Sequence, residues 1–151
     1  MKYAKAVFNG KISGDIKFYQ HHQNEHVIVV FSLEYKKSRN KHGIKIMHRG
    51  IPFNPDNKRH RCDNKGQVGD ICNNLFFDDK HVCCYTYNDN LISLYEDDIN
   101  CIVGKCVVIF DKEDDCGRWW KHYLNPLSML RSYRNGNVGD DVDSAVIRIQ
   151  Y

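Results

Sequence analysis

The residues of this chain that can do chemistry are of metal-ligating and partner-binding types. Its 151 residues include 8 histidines, 7 cysteines and 19 acidic side chains, and metal binding is the chemistry these groups share. The cysteines argue for less. No Cys-x-x-Cys pair occurs, which removes zinc-finger and thioredoxin-type chemistry. The adjacent Cys83 and Cys84 would point to opposite faces of a strand and so cannot bridge each other. The count is odd, and Met1-Lys2-Tyr3-Ala4-Lys5 lacks the apolar core of a secretion signal. The expectation is therefore reduced, mostly buried thiols in a cytoplasmic protein. A second group is aromatic: Trp119, Trp120 and Tyr123 stand with Arg118, Met129 and Arg131 in one segment. These residue types are enriched at interface hot spots, so Trp119 and Trp120 are candidates for partner contact. Equally, they are candidates for filling interior space. The basic run Lys58-Arg59-His60-Arg61 reads as a solvated loop.

The elements that must position these groups are strands. Ala4–Phe8, Asp15–Tyr19, His26–Leu33, Gly43–His48, Ile71–Phe77, His81–Tyr87, Gly104–Phe110 and Val142–Ile149 are short apolar or alternating runs between turn residues. No stretch shows a helical face longer than a turn or two, although Leu124–Arg131 has room for one. The pattern predicts an all-β, eight-stranded antiparallel barrel or sandwich in one domain spanning residues 1–151. Long connections at 49–70, 88–103 and 111–141 are where such a fold builds a site. A chain of this length buries roughly two thirds of its unfolded surface. Hydrophobic residues at 42% and charged residues at 27% are ordinary for a globular domain. A formal charge of +3 gives no argument for nucleic acid. No apolar run approaches the ~20 residues of a membrane span.

Several blocks, in order, resemble the copper/zinc superoxide dismutase family. Asn88-Asp89-Asn90-Leu91-Ile92-Ser93-Leu94, followed by Cys101 to Val108, is similar to that family's Greek-key loop and seventh strand. Gly14 to Phe18 resembles its second strand and His42 to Met47 its copper-binding fourth strand. Phe53-Asn54-Pro55 and Val68-Gly69-Asp70 resemble the two ends of its zinc loop. Asp111 to Gly117 and Gly136 to Gly139 resemble the two ends of its electrostatic loop, and Ala145 to Ile149 its last strand. The resemblance implies a Greek-key barrel, usually dimeric, with copper and zinc between the barrel wall and two long loops.

The same resemblance implies that the copper site has been dismantled. Lys45, Met47, Pro52 and Phe110 stand where the family has copper-binding histidines. Ile44 and Ile46 hold the register, because a one-residue slip toward His48 would turn Lys45 into the core. Of the zinc positions, His60 and Asp70 match and Gln67 does not, so two ligands remain where a zinc site uses three or four. His60 is read as a solvated loop histidine, Asp70 as a turn cap and Asp114 as a loop anchor. Ser144 stands at one position of the family disulfide, and the segment that would carry its partner is shortened. Asp141 replaces the arginine that guides superoxide. No copper is expected, and at most weak residual zinc.

The resemblance also implies a protein–protein role. Gly50, Cys101, Ile102, Gly104 and Ile149 fall in regions that form the family's dimer face. The expectation is an inactive dismutase-like protein that binds a protein partner: a second copy, or a host dismutase or its copper chaperone as a decoy. An abundance of Asn, Lys, Ile, Asp and Tyr fits an AT-rich, viral origin. The alternatives are a structural virion component and a metalloenzyme using His48, His60 and Asp70.

Overall fold

The computed structural model describes residues 1–38, 40–63, 66–118, 126–136 and 138–151. Among the described residues, nine strands and one helix follow in the order β1 (Lys2–Asn9), β2 (Ser13–Gln20), β3 (Val27–Glu34), β4 (Lys41–His48), β5 (Ile51–Pro52), β6 (Asn74–Phe76), β7 (Val82–Asp89), β8 (Cys106–Phe110), α1 (Pro126–Asn135) and β9 (Asp141–Ile149). The strand order is β5-β4-β8-β9-β1-β2-β3-β7, with β6 paired to β4 and every neighbour antiparallel. The sheet curls on itself: β3 and β4 lie far apart in that order, yet Phe31 and Ile46 belong to one continuous core.

Alternation of side chains places that core. In β3, Val27, Val29, Phe31 and Leu33 are buried, with less buried residues between them, as a strand packed mainly through one face requires. Phe31 stacks on Tyr85 and Tyr87 of the neighbouring β7, with centroids 4.6 and 5.9 Å away. Cys83 is buried and Cys84 exposed, on opposite faces as expected. Gln20, at the end of β2, fixes the Greek-key loop. Its Oε1 accepts from Leu94 N at 2.7 Å, and its Nε2 donates to the carbonyls of Gln23 and Glu25.

Most of the expected strands are present, with shifted ends. The run Ile71–Phe77 is a strand only over Asn74–Phe76, because Cys72 and Asn73 take positive φ values of 42° and 56°, which interrupt extended backbone. The two-residue β5 lies outside the expected strand runs. The helix begins at Pro126, a favoured first position. It closes on Gly136, which lies at φ 69° and donates to Ser132 O. Among the described residues no helix is long and apolar enough to cross a membrane.

β4, like its neighbour β8, is buried on both faces, here from His42 to Ile46. Ile44 and Ile46 enter the core, while Gly43, Lys45 and Met47 face the long connections. Those connections are tied to β4 by backbone bonds. Gly43 N donates to Lys112 O (2.7 Å), Ile46 N to Gly69 O (2.8 Å) and Ile44 N to Asn73 O (3.1 Å). A side chain pointing outward from the middle of β4 is therefore roofed by loop.

Candidate functional site: a buried ionic cluster

Lys45, at the centre of β4, is fully buried. An unpaired ammonium in that position would carry a large desolvation cost. Lys45 Nζ instead donates to Asp70 Oδ1 at 2.8 Å and to Asp114 Oδ2 at 3.3 Å, and it lies 3.3 Å from His60 Nδ1. His60 joins the same two carboxylates: its Nδ1 is 2.6 Å from Asp70 Oδ2 and its Nε2 is 2.7 Å from Asp114 Oδ1. Four ionisable side chains, each 0–3% exposed, thus form one closed group.

Both ring nitrogens of His60 face carboxylate oxygens, an arrangement that favours the doubly protonated imidazolium. Burial works against that charge. The hydrogen bonds to Asp114 and Asp70 outweigh it, with Lys45 opposing, and hold the pKa of His60 above its usual value. Burial also works to raise Asp114, but the bond to His60 and the Lys45 charge prevail and hold its carboxyl below the usual carboxylate range. Two cations against two anions leave the cluster neutral, the condition under which buried charges are tolerated.

The loops are built to hold this arrangement. Asp114 N donates to Asn74 Oδ1 (2.7 Å), Asn74 Nδ2 returns a bond to Asp114 O (3.1 Å), and Cys116 N donates to Asp114 Oδ1 (2.8 Å). Gly136 presses so close that a β-carbon would collide with Asp114 Oδ1 and His60 Nε2. Gln67, also buried, uses its amide nitrogen to tie Lys58 O to Arg134 O at the end of α1. Cys62 and Cys116 join the two loops by a disulfide with a Cα–Cα distance of 4.9 Å.

Several expectations are corrected here. His60 is not solvated, Asp70 is committed to Lys45 and His60, and Asp114 is the hub of the cluster as well as a loop anchor. The basic run is split, with Lys58, Arg59 and Arg61 exposed and His60 inside. Not all cysteines are reduced: Cys62 and Cys116 lie 54 residues apart in sequence and meet because the cluster between them joins their loops. Of the rest, Cys83 and Cys101 are buried, Cys72 and Cys106 half-buried and Cys84 exposed. One signal for the cluster was legible in the sequence, in that a lysine had entered where two acidic residues stayed. The disulfide had none.

The remaining candidates are dispersed. Phe110 packs with Val108 and Val138, and Met47 packs against that cluster from the same face of β4 as Lys45. Half-buried Pro52 pairs with Met47 in β5. His48 is exposed and pairs with Ile51, so the register holds without the slip and His48 does not join His60 and Asp70. Cys101 and Ile102 are buried, Ile149 is half-buried, and Gly50 and Gly104 are exposed at φ 80° each. Trp119 and Trp120 lie outside the described residues. Among the described residues, one group of metal-ligand types has its donor atoms within 4.8 Å of one another: Cys62, Asp114 and Cys116. Its sulfurs are bonded to each other and its carboxylate is bound to His60 and Lys45, so as it stands the group is occupied.

Comparison with known proteins agrees with this architecture. Residues 12–147 match the family described as copper/zinc superoxide dismutase. The chain is 34% identical over 150 residues to the Cu-Zn superoxide dismutase of Schizosaccharomyces pombe, covering 90% of each protein. It is 32% identical over 119 residues to superoxide dismutase Cu-Zn 5 of Dictyostelium discoideum, covering 71% of this chain and 76% of the relative. Among solved structures, the clock protein EA4 superposes with a TM-score of 0.83 at 28% identity, covering 98% of this chain and 94% of that one.

Proposed function

The chain belongs to the copper/zinc superoxide dismutase family, and from that premise we propose that it is a pseudoenzyme that acts by binding protein. The observation that carries this reading is the Lys45 ammonium held by His60, Asp70 and Asp114. In the family a metal cation belongs between the barrel wall and these loops. Here the positive charge comes from a side chain.

The donor set does not fit copper. Cycling copper needs several imidazoles. At the corresponding positions this chain offers an ammonium without a lone pair, the Met47 thioether, and Pro52 and Phe110 without donors. Met47 and Phe110 belong to apolar packing instead. The donor set fits zinc little better. His60 and Asp70 are the two matching ligands, and both are bound to Lys45 or to each other. Gln67 presents an amide whose nitrogen is already bonded. A metal arriving here would have to displace a buried ammonium that makes charge-assisted bonds to two carboxylates.

The barrel with its dimer-face residues Gly50, Cys101, Ile102, Gly104 and Ile149 is then what the protein uses. Its partner is a second copy of the chain, or another dismutase or that enzyme's copper chaperone, engaged as a decoy. Two experiments test this. Purified protein supplied with copper and zinc is expected to show no dismutase activity above free copper. Immobilised protein is expected to retain a host dismutase or its chaperone, or to self-associate in sedimentation. Dismutase activity dependent on the folded chain would contradict the first part. A monomer that retains neither protein would contradict the second and favour a structural role.

A further inference from the structure

The disulfide has no part in the reading above, and its surroundings are unusual. Cys62 is exposed and Cys116 half-buried, so a small molecule reaches the bond from Cys62. Both sulfur-bearing residues line a surface pocket of about 700 Å³, together with Lys58, Arg59, Arg61 and Arg118. Lys58 faces Asp56 at 3.6 Å and Arg61 faces Asp63 at 2.6 Å. Even so, among the described residues the pocket wall carries the basic side chains of Lys58, Arg59, Arg61 and Arg118 against the one carboxylate of Asp63. A positive surround draws anions by steering and favours thiolate over thiol. An accessible disulfide is also the labile kind, open to exchange with a thiolate.

We propose that Cys62 is a modification site for small thiols that carry carboxylates, with the basic pocket as their docking site. The incoming thiolate, its carboxylates set against Lys58, Arg61 and Arg118, attacks Cys62 Sγ. A new sulfur–sulfur bond forms there as the Cys62–Cys116 bond breaks. The electron pair leaves on Cys116 Sγ, which takes a proton from water. The incoming thiol is oxidised to the disulfide level and Cys116 is reduced to a thiol, so no other oxidant or reductant is needed. Cys116 is left beside Asp114, whose Oδ1 accepts the Cys116 N–H, within reach to expel the adduct and close the ring again.

The test uses the full oxidised chain and three probes: glutathione, which is anionic, neutral 2-mercaptoethanol, and cationic cysteamine. Rates of disulfide opening are compared per thiolate, and the adduct is located by peptide mass spectrometry. At low salt glutathione is expected to react about tenfold faster than the neutral thiol, to lose that advantage at high salt, and to be found on Cys62. The double variant Lys58→Gln/Arg61→Gln should slow glutathione and leave 2-mercaptoethanol unchanged. Cysteamine matching glutathione, rates independent of salt, or an adduct confined to Cys116 would overturn the proposal. So would seven titratable thiols in the unreduced protein. The salt and probe comparisons use the native chain and stand even if the variant fails to fold.

Discussion

Replacing Lys45 with methionine isolates the ionic cluster, because the apolar stem is largely kept while the charge is lost. At an effective dielectric of about 20, the ammonium gains about 6 kcal/mol from Asp70 at 2.8 Å and about 5 kcal/mol from Asp114 at 3.3 Å. The His60 imidazolium, also at 3.3 Å, takes back about 5 kcal/mol. Relief of the lysine's own desolvation offsets much of what remains, but the variant is left with a net buried negative charge. Breaking a buried pair by removing one partner costs about 3–5 kcal/mol, and that is the predicted loss. For a domain of this size it corresponds to a fall in Tm of roughly 6–20 °C. Equilibrium urea unfolding followed by tryptophan fluorescence measures it, with an unchanged m-value confirming that both proteins unfold from equally compact states. Lys5→Met, which breaks the half-buried Lys5–Asp15 pair (2.9 Å), is the control and should shift the midpoint far less. If Lys45→Met lies within 1 kcal/mol of wild type, or is more stable, the cluster is not the charge-balanced unit described above.

The pKa shifts set the pH profile. His60 has a folded pKa above its usual value, so its contribution is complete below about pH 6.5 and is lost as pH rises through the folded value. Asp114 has a folded pKa below the usual carboxylate range, so its contribution is present above about pH 3.9 and is lost as pH falls through the folded value. Urea midpoints should therefore fall on the alkaline side in wild type, and a His60→Gln variant should flatten that limb. Gly136→Ala should destabilise by more than about 1 kcal/mol, since it adds a β-carbon at φ 69° against Asp114 and His60. Thermal unfolding against a surface Gly50→Ala control, where nothing lies within 4 Å, separates crowding from the shared positive φ. Gln20→Leu should cost about 1–3 kcal/mol by orphaning Leu94 N and the carbonyls of Gln23 and Glu25, read as a lower urea midpoint and faster hydrogen exchange at Leu94.

The sequence exposed the barrel because strand periodicity is local. Val27, Val29, Phe31 and Leu33 declare their face within eight residues, and Ile44 and Ile46 fix the register of β4 in the same way. It exposed less of the cluster. Lys45 was identified as standing at a ligand position, but a lysine in a loop-facing site reads as solvated unless its roof is known. That roof consists of His60, Asp70 and Asp114, from two loops separated by dozens of residues. The same limit explains His60, which sits in a basic run whose neighbours Arg59 and Arg61 do reach solvent. Burial there is decided by Gly136 and Asp114 packing from the far end of the chain. The Cys62–Cys116 bond depends on the same long-range closure, so spacing within the sequence carried no trace of it.

In the proposed function a side-chain ammonium takes the place of the metals. Elemental analysis of the full chain, refolded with equimolar copper and zinc and then dialysed, tests it most directly. Copper and zinc are both expected far below one per chain, with no change in Tm on adding either metal. Copper near one equivalent per chain, retained through dialysis and raising the Tm, would contradict it.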